Sequence, residues 1–137
     1  MSDSAPDPER LFYESMPFAR TLGIELVEAG DDQVRARLGW AAERCTSGGV
    51  LHGGVLMALA DSTGAMCAFL HLPEGATGTT TVESKTNFFR AVRAGDVEAT
   101  SRPLHVGRSV IVVETELRDD EGRLAAKVTQ SQLVLRT

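Results

Sequence analysis

Residues 51–72, LHGGVLMALADSTGAMCAFLHL, constrain the fold of this chain more than any other stretch. Past the His52-Gly53-Gly54 opening, apolar side chains from Val55 to Ala60 and again from Ala65 to Leu70 cover every side of a helix. A helix apolar all round is expected to be buried all round. About 20 residues at 1.5 Å rise each make a rod of roughly 30 Å, the width of a small domain. A chain of 137 residues has the length of one domain and can hide one such rod by wrapping a sheet around it.

The middle of the rod holds Asp61, followed by Ser62, Thr63 and Gly64. A buried carboxylate is costly unless something pairs with it. Asp is a mediocre helix former, and Gly weakens a helix by about 1 kcal/mol relative to Ala. Local preference and global placement disagree here, and such disagreements gather at functional sites. The plain alternative is a carboxylate facing solvent or a structural arginine. The start of the same segment favours function. Ser47-Gly48-Gly49 and then His52-Gly53-Gly54 put glycines at a helix N-terminus. The free N–H groups and partial positive charge there suit a carbonyl oxygen or an anion, which is how an oxyanion hole is built. The plain alternative for that end is a flexible loop with His52 as a cap or packing residue. From His52 to Asp61 is nine helical steps, roughly 13 Å along the axis and about half a turn around it. One substrate carbonyl cannot touch both. If both act on it, they come from two copies of the chain with helices antiparallel across a two-fold axis, and the active unit is a dimer with two equivalent sites.

The bulk properties narrow the remaining classes. With 42% hydrophobic and 24% charged residues, the chain is globular rather than disordered. A net charge of −5 argues against nucleic acid or an anionic membrane surface as the general partner, so an anionic ligand needs a local cationic cluster. The rod is a poor membrane span, because Asp61 at its centre costs about 2.5–3.5 kcal/mol on insertion scales. Residues 1–9 are polar and acidic with two prolines, unlike a secretory leader. They read as a mobile tail ahead of a single domain over residues 10–137, with the cytoplasm as default location. Cys45 and Cys67 are isolated and read as reduced thiols, Cys67 in the core. The three histidines are scattered, which gives no metal site. A P-loop, a GxGxxG turn, an HExxH helix and a Gly-x-Ser-x-Gly elbow are all missing, which removes the chemistries that depend on them.

Around the rod, residues 8–22 suggest one or two short helices interrupted at Pro17 and ended by Gly23. Leu11, Phe12, Met16, Phe18 and Leu22 would form an apolar face there, in the core or near a ligand pocket. Residues 24–28 and 34–38 make a hairpin about Gly30-Asp31-Asp32. Further strands are expected over 79–89, from Val97 through 106, over 109–118 and over 123–135, punctuated by Gly95-Asp96, Gly107-Arg108 and the turn at 119–122. Strands and helices do not alternate, so an α+β layer with an antiparallel sheet is expected rather than a doubly wound parallel one.

The HGG opening with an acid nine residues beyond the His resembles the hotdog-fold acyl-CoA thioesterases, in the branch of the phenylacetate-pathway and hydroxybenzoyl-CoA thioesterases. The resemblance covers residues 22–135 and is carried, in order, by LGIELVE, HGGVLMALADSTGAMCA, NFFRAVRAGD and PLHVGRSV. It implies a hotdog fold, one long central helix wrapped by an antiparallel sheet of five to six strands. It implies hydrolysis of an aryl-, short- or medium-chain acyl-CoA, with no cofactor other than the coenzyme A that the substrate brings. The implied catalytic residues are Gly53, whose N–H polarises the carbonyl, Asp61, as general base on water or as nucleophile, and His52, which fixes the turn or donates to the thioester. Substrate and coenzyme A contacts fall to Thr46, Gly54, Thr81, Arg90, Gly107, Arg108 and Ser109. Arg90, Arg93, Arg102, His105 and Arg108 would collect near the sheet edge for the phosphates. Three positions depart from the family: Thr46 stands where Asn or Gln is common, Ala65 where some relatives carry Ser or Thr, and Ala91 where Pro often follows the Arg. A homo-oligomer is implied, with the dimer as working unit and a dimer of dimers above it. The rival is a non-catalytic hotdog module that binds acyl-CoA or acyl-carrier protein, which leaves Asp61 without a role. Phe12, Phe18, Met57, Phe69 and Phe88 serve either an aryl pocket or the core.

Overall fold

The computed structural model describes residues 7–137. Helix α1 (Pro8–Ser15) opens on the Asp7 side chain, which accepts from Glu9 N at 3.2 Å, with Pro8 in the first turn. Proline is pre-organised for that position, and the helix starts at residue 8, where the sequence suggests a helical segment, so Pro8 and Glu9 belong to it although the expected tail runs to residue 9. The rest of that tail, residues 1–6, lies outside the described residues. Pro17 breaks the pattern and begins α2 (Pro17–Leu22), and Gly23 ends it in the left-handed conformation at φ 83°. Phe12 is fully buried, whereas Phe18 is 62% exposed, so Phe18 does not belong to the apolar face expected of this segment.

Next come β1 (Glu25–Ala29), β2 (Val34–Gly39), the long helix α3 (Gly53–Phe69), β3 (Gly78–Phe88), β4 (Asp96–Val106), β5 (Val110–Arg118) and β6 (Leu124–Leu135). Every pairing is antiparallel and the order across the sheet is β1-β2-β4-β5-β6-β3. Alternate residues of each strand face α3, which lies across one side of the sheet and touches all six strands. This is the hotdog fold. The core lies between the two layers, with Leu56, Leu59, Ala60 and Cys67 of α3 against Val97, Ala99, Ile111, Val113 and Val128. Burial pushes the Cys67 thiol up to about 11, so it stays protonated.

Helix α3 is shorter than the apolar run that contains it. Leu51 forms an isolated bridge with Cys45 and donates its N–H to Val92 O at 2.9 Å, and Pro73 disfavours helix just beyond the other end. Nor is the rod buried all round. Gly54, Met57, Asp61 and Phe69 are exposed, with Ala58 and Ala65 half-buried between them, so one stripe has no cover in the single chain. Beside it lies β3, an edge strand paired only with β6. Residues 80–85 of β3 are exposed on both faces, and Val82, at a bulge, is 62% exposed. An edge of this length with a bare apolar residue is a ready surface for another chain.

The β5–β6 turn is held by Asp119, which accepts from Glu121 N at 3.0 Å, Arg123 N at 2.9 Å and Arg123 Nε at 2.9 Å. Burial alone would push this carboxyl up. The bonds from Arg123 and Glu121 more than reverse that and hold it below its ordinary value of 3.8. A depressed carboxylate stabilises the fold above the unfolded value, and that contribution is lost as pH falls through the folded one. Asp119→Ala is therefore expected to lower the melting temperature at neutral pH, with the gap to wild type closing as pH falls below 3.8 in a calorimetric series.

Candidate active site

The N-terminus of α3 is built by hydrogen bonds from three neighbouring segments. Trp40 Nε1 donates to Gly49 O at 2.9 Å and Arg93 donates to Gly48 O at 3.1 Å, which pins the glycine loop. His52 N donates to Arg44 O at 2.9 Å. His52 is the N-cap, and its Nδ1 accepts from Gly54 N at 2.8 Å. A neutral ring bonded this way carries its proton on Nε2. A β-carbon at position 54 would meet the His52 ring at 2.8 Å, so a larger residue there would push the ring off its capping bond. The next helical amides, of Val55 and Leu56, both turn back to His52 O. The Gly53 N–H remains, without a partner among the described residues, at the positive end of the helix dipole. The Phe88 ring lies against Gly53, 3.1 Å from where a β-carbon would stand, and walls this end of the site.

Asp61 stands eight residues further on, on the exposed stripe of α3. Contrary to the expectation of a buried acid, the single chain leaves it open. No side chain among the described residues hydrogen-bonds it. Its surroundings are apolar all the same, with Met57 and Ala58 one turn before and Ala65 one turn after. Burial, the sole cause, already raises its carboxyl above the usual 3.8. The inner face of β3 beside it carries Thr79, Thr81, Ser84, Thr86 and Phe88, set by their partners Val134, Gln132, Gln130, Val128 and Ala126 on β6.

Beyond Asp61 the stripe runs into a cavity of about 260 Å³ lined by Leu11, Ser15 and Met16 of the N-terminal segment, Ala65, Met66 and Phe69 of α3, and Gly78 and Thr79 of β3. Ala65 is one turn, roughly 6 Å, past Asp61, and Phe69 about 12 Å past it. Apolar engineered cavities of about 150 Å³ already hold benzene, so this one has room for a substituted ring or a medium chain. Phe69 therefore serves the cavity and Phe12 the core, while Met57 and Phe88 face the open site and Phe18 neither.

The other sequence-derived residues fall into two groups. Thr46, on the loop before His52, and Arg90, just after β3, lie at the end of the sheet where α3 begins. Thr46 is exposed and its N–H donates to Val50 O at 2.8 Å. Gly54 is at the same end, but its amide is taken by His52. Thr81 is on the inner face of β3, where its hydroxyl accepts from Gln132 Nε2 at 2.7 Å. Gly107, Arg108 and Ser109 form the β4–β5 turn at the opposite end, where Arg136 donates to Arg108 O. With 11 residues in β3 at roughly 3.3 Å each, the two ends are on the order of 30 Å apart. A single chain therefore does not gather Arg90, Arg93, Arg102, His105 and Arg108 into one cluster. Two inward glutamines of β6, Gln130 and Gln132, lie under the site and were not singled out. Their signal was available, since both occupy inward positions of a strand otherwise lined by Ala126, Val128 and Val134. Among the described residues no three His, Cys, Asp or Glu side chains cluster as a metal site would, and no helix is long and apolar enough to cross a membrane.

The class comes from the family pattern: the thioesterase superfamily matches residues 48–126. The chain belongs to that superfamily and is a thioester hydrolase. Among its relatives, the proofreading thioesterase EntH of Cronobacter turicensis is 35% identical over 102 residues, covering 74% of this chain and 74% of that one. The 1,4-dihydroxy-2-naphthoyl-CoA hydrolase of Escherichia coli is 31% identical over 114 residues, 83% of each chain. Among solved structures, a thioesterase from Haemophilus influenzae superposes with a TM-score of 0.88 at 29% identity, over 97% of this chain and 93% of its own.

Proposed function

We propose that the protein is an acyl-CoA thioesterase acting as a homodimer, with each site shared between two copies. The observation that carries this reading is the placement of the free Gly53 amide and the Asp61 carboxylate on the same open stripe, four residues either side of Met57, itself 40% exposed. A two-fold axis passing Met57 brings each Gly53 against the partner's Asp61, and it pairs the bare edge of β3 with its own copy. The thioester oxygen then accepts from Gly53 N–H as it becomes an oxyanion. The partner's Asp61 takes a proton from attacking water and passes it to the departing sulfur, so that coenzyme A leaves as the thiol. In the other route Asp61 attacks the carbonyl itself, coenzyme A leaves as a thiolate that takes its proton from water, and a second water hydrolyses the mixed anhydride. Single turnover in 18O-water tests the second route, since label appears in Asp61 only when a mixed anhydride forms and water attacks its Asp61 carbonyl.

The acyl group runs past Asp61 into the cavity between α1, α3 and β3, and aryl-, short- or medium-chain groups fit it. The antiparallel dimer also brings the end of one sheet that carries Arg90 beside the end of the other that carries Arg108, so a phosphate site that one chain cannot make is completed by two. Leu133 and Leu135, 40% and 39% exposed on the outer sheet face, are where such dimers would meet as a tetramer. The location fitting this chemistry is the cytoplasm.

The test is thiol release from a panel of aryl- and straight-chain acyl-CoAs, with the mass in solution measured alongside. Turnover by a dimer or larger assembly is expected. A monomer, or silence on every thioester, sinks the proposal. Within the panel, Met16→Trp should fill the cavity and cost the bulkiest good substrate about tenfold or more in kcat/KM while sparing acetyl-CoA.

A further inference from the structure

Two side chains beneath α3 carry buried polar atoms without partners among the described residues. Gln130, on the inner face of β6, is 0% exposed, and neither its Nε2 nor its Oε1 has a partner among the described residues. Thr86 Oγ1, on the inner face of β3, is equally without one. Ser84 is opposite Gln130 and Thr86 opposite Val128, which makes Thr86 a diagonal neighbour of Gln130. Buried polar groups are nearly always paired, and a consistent exception needs a reason. Gln132, two residues along the same strand, is satisfied by Thr81. Gln130 differs because its carboxamide turns up to the helix and fills the place where a β-carbon of Gly64 would stand.

That place has a known relation to the acid. Gly64 follows Asp61 by three residues, and β-carbons three apart on a helix are about 5–6 Å from each other. Gln130 Nε2 stands 1.6 Å from that place, which puts it roughly 4–7 Å from Asp61 Cβ, a gap that a turn of the carboxylate or one water can span. No side chain among the described residues hydrogen-bonds that acid. Met57, Ala58 and Ala65 flank it on α3, which carries no other charged residue, and β3 and β6 present only Thr, Ser and Gln towards it. In the proposed dimer the partner's His52, next to Gly53, is a titratable group that comes towards it.

We propose that Gln130 is a positioning residue for Asp61, reaching through the gap at Gly64 to donate from Nε2 to the carboxylate, directly or through one buried water shared with Thr86 Oγ1. The bond selects the carboxylate oxygen that faces the attacking water. This inference rests on the reading of Asp61 as the reacting acid.

The test is Gln130→Met, which keeps the length and removes the polar atoms. Calorimetry on the same samples separates a loss of rate from a loss of fold. With the orienting bond gone, kcat should fall about tenfold with KM little changed, and the acid limb of the kcat profile should move up by about one pH unit, because a hydrogen bond to the charged form is lost. Gly64→Ala, whose methyl displaces the carboxamide, should repeat the lower kcat and the moved limb even if it melts lower. A purely structural Gln130 gives altered melting with an unmoved limb in both variants, and that result overturns the proposal. If wild type hydrolyses thioesters and Asp61→Asn does not, an unmoved limb in Gln130→Met removes this inference alone. No hydrolysis by wild type removes both.

Discussion

Asp61→Asn should lose thioester hydrolysis by about a thousandfold, the middle of the range for a positioned acid–base group, and should melt higher than wild type at neutral pH. Both effects have one origin. Partial burial raises the Asp61 carboxyl above 3.8, so the folded chain holds its proton more tightly than the unfolded chain does. A raised carboxyl stabilises the fold fully below the unfolded value, and that contribution is lost as pH rises through the folded one. At neutral pH the ionised group works against the fold, and asparagine removes the charge. The rate has the opposite sign, since the reacting form is the carboxylate. The acid limb of kcat should therefore fall above the ordinary carboxylate range in wild type and be absent in the variant. Thiol release across pH, with calorimetry on the same samples, measures both. An Asp61→Asn protein that turns over like wild type would leave the acid without a role.

The second large effect is expected at Gly53. Proline is favoured at the first position of a helix, where its missing N–H costs no intrahelical bond. Gly53 begins α3, and only the exposed Phe88 ring crowds it. Gly53→Pro should thus keep the helix and delete a donor that has no partner among the described residues, lowering kcat about 10²–10³-fold. Mixing the two inactive chains then probes the shared site. Unfolding and refolding Gly53→Pro with Asp61→Asn at equal amounts makes half of the dimers mixed, and each mixed dimer holds one site with both native groups. Activity should return to about a quarter of wild type. If the two groups served a common substrate from within one chain, no mixture would regain anything.

The elements were legible because their punctuation is local. Gly30-Asp31-Asp32, Gly95-Asp96, Gly107-Arg108 and Gly122 mark turns by conformation, and the alternation Ile111, Val113, Thr115, Leu117 marks an inward face regardless of what it meets. Every strand falls within one residue of its expected bounds. The helix N-terminus was legible for the same reason. The sheet order was not, because β3 finds its partner in the last strand of the chain, and no short-range signal carries such a pairing. The separation of Arg90 from Arg108 was hidden too. They are close in sequence, yet β4 runs the length of the sheet between them. The apolar run around Asp61 was read as a fully covered rod, because composition reports that a side chain needs cover and not which chain provides it. Gln130 could have been noticed, since an inward amide in a strand of Ala and Val is a local contradiction of the kind that drew attention to Asp61.

In the proposed homodimer the unpaired rim of β3 sets an assembly threshold. Sites that exist only between copies disappear on dilution, so turnover per chain should rise with concentration until the pair is saturated. Interference with such a catalyst need not imitate its substrate. A short extended peptide that zips onto this rim would occupy the place of the second copy and extinguish two sites at once.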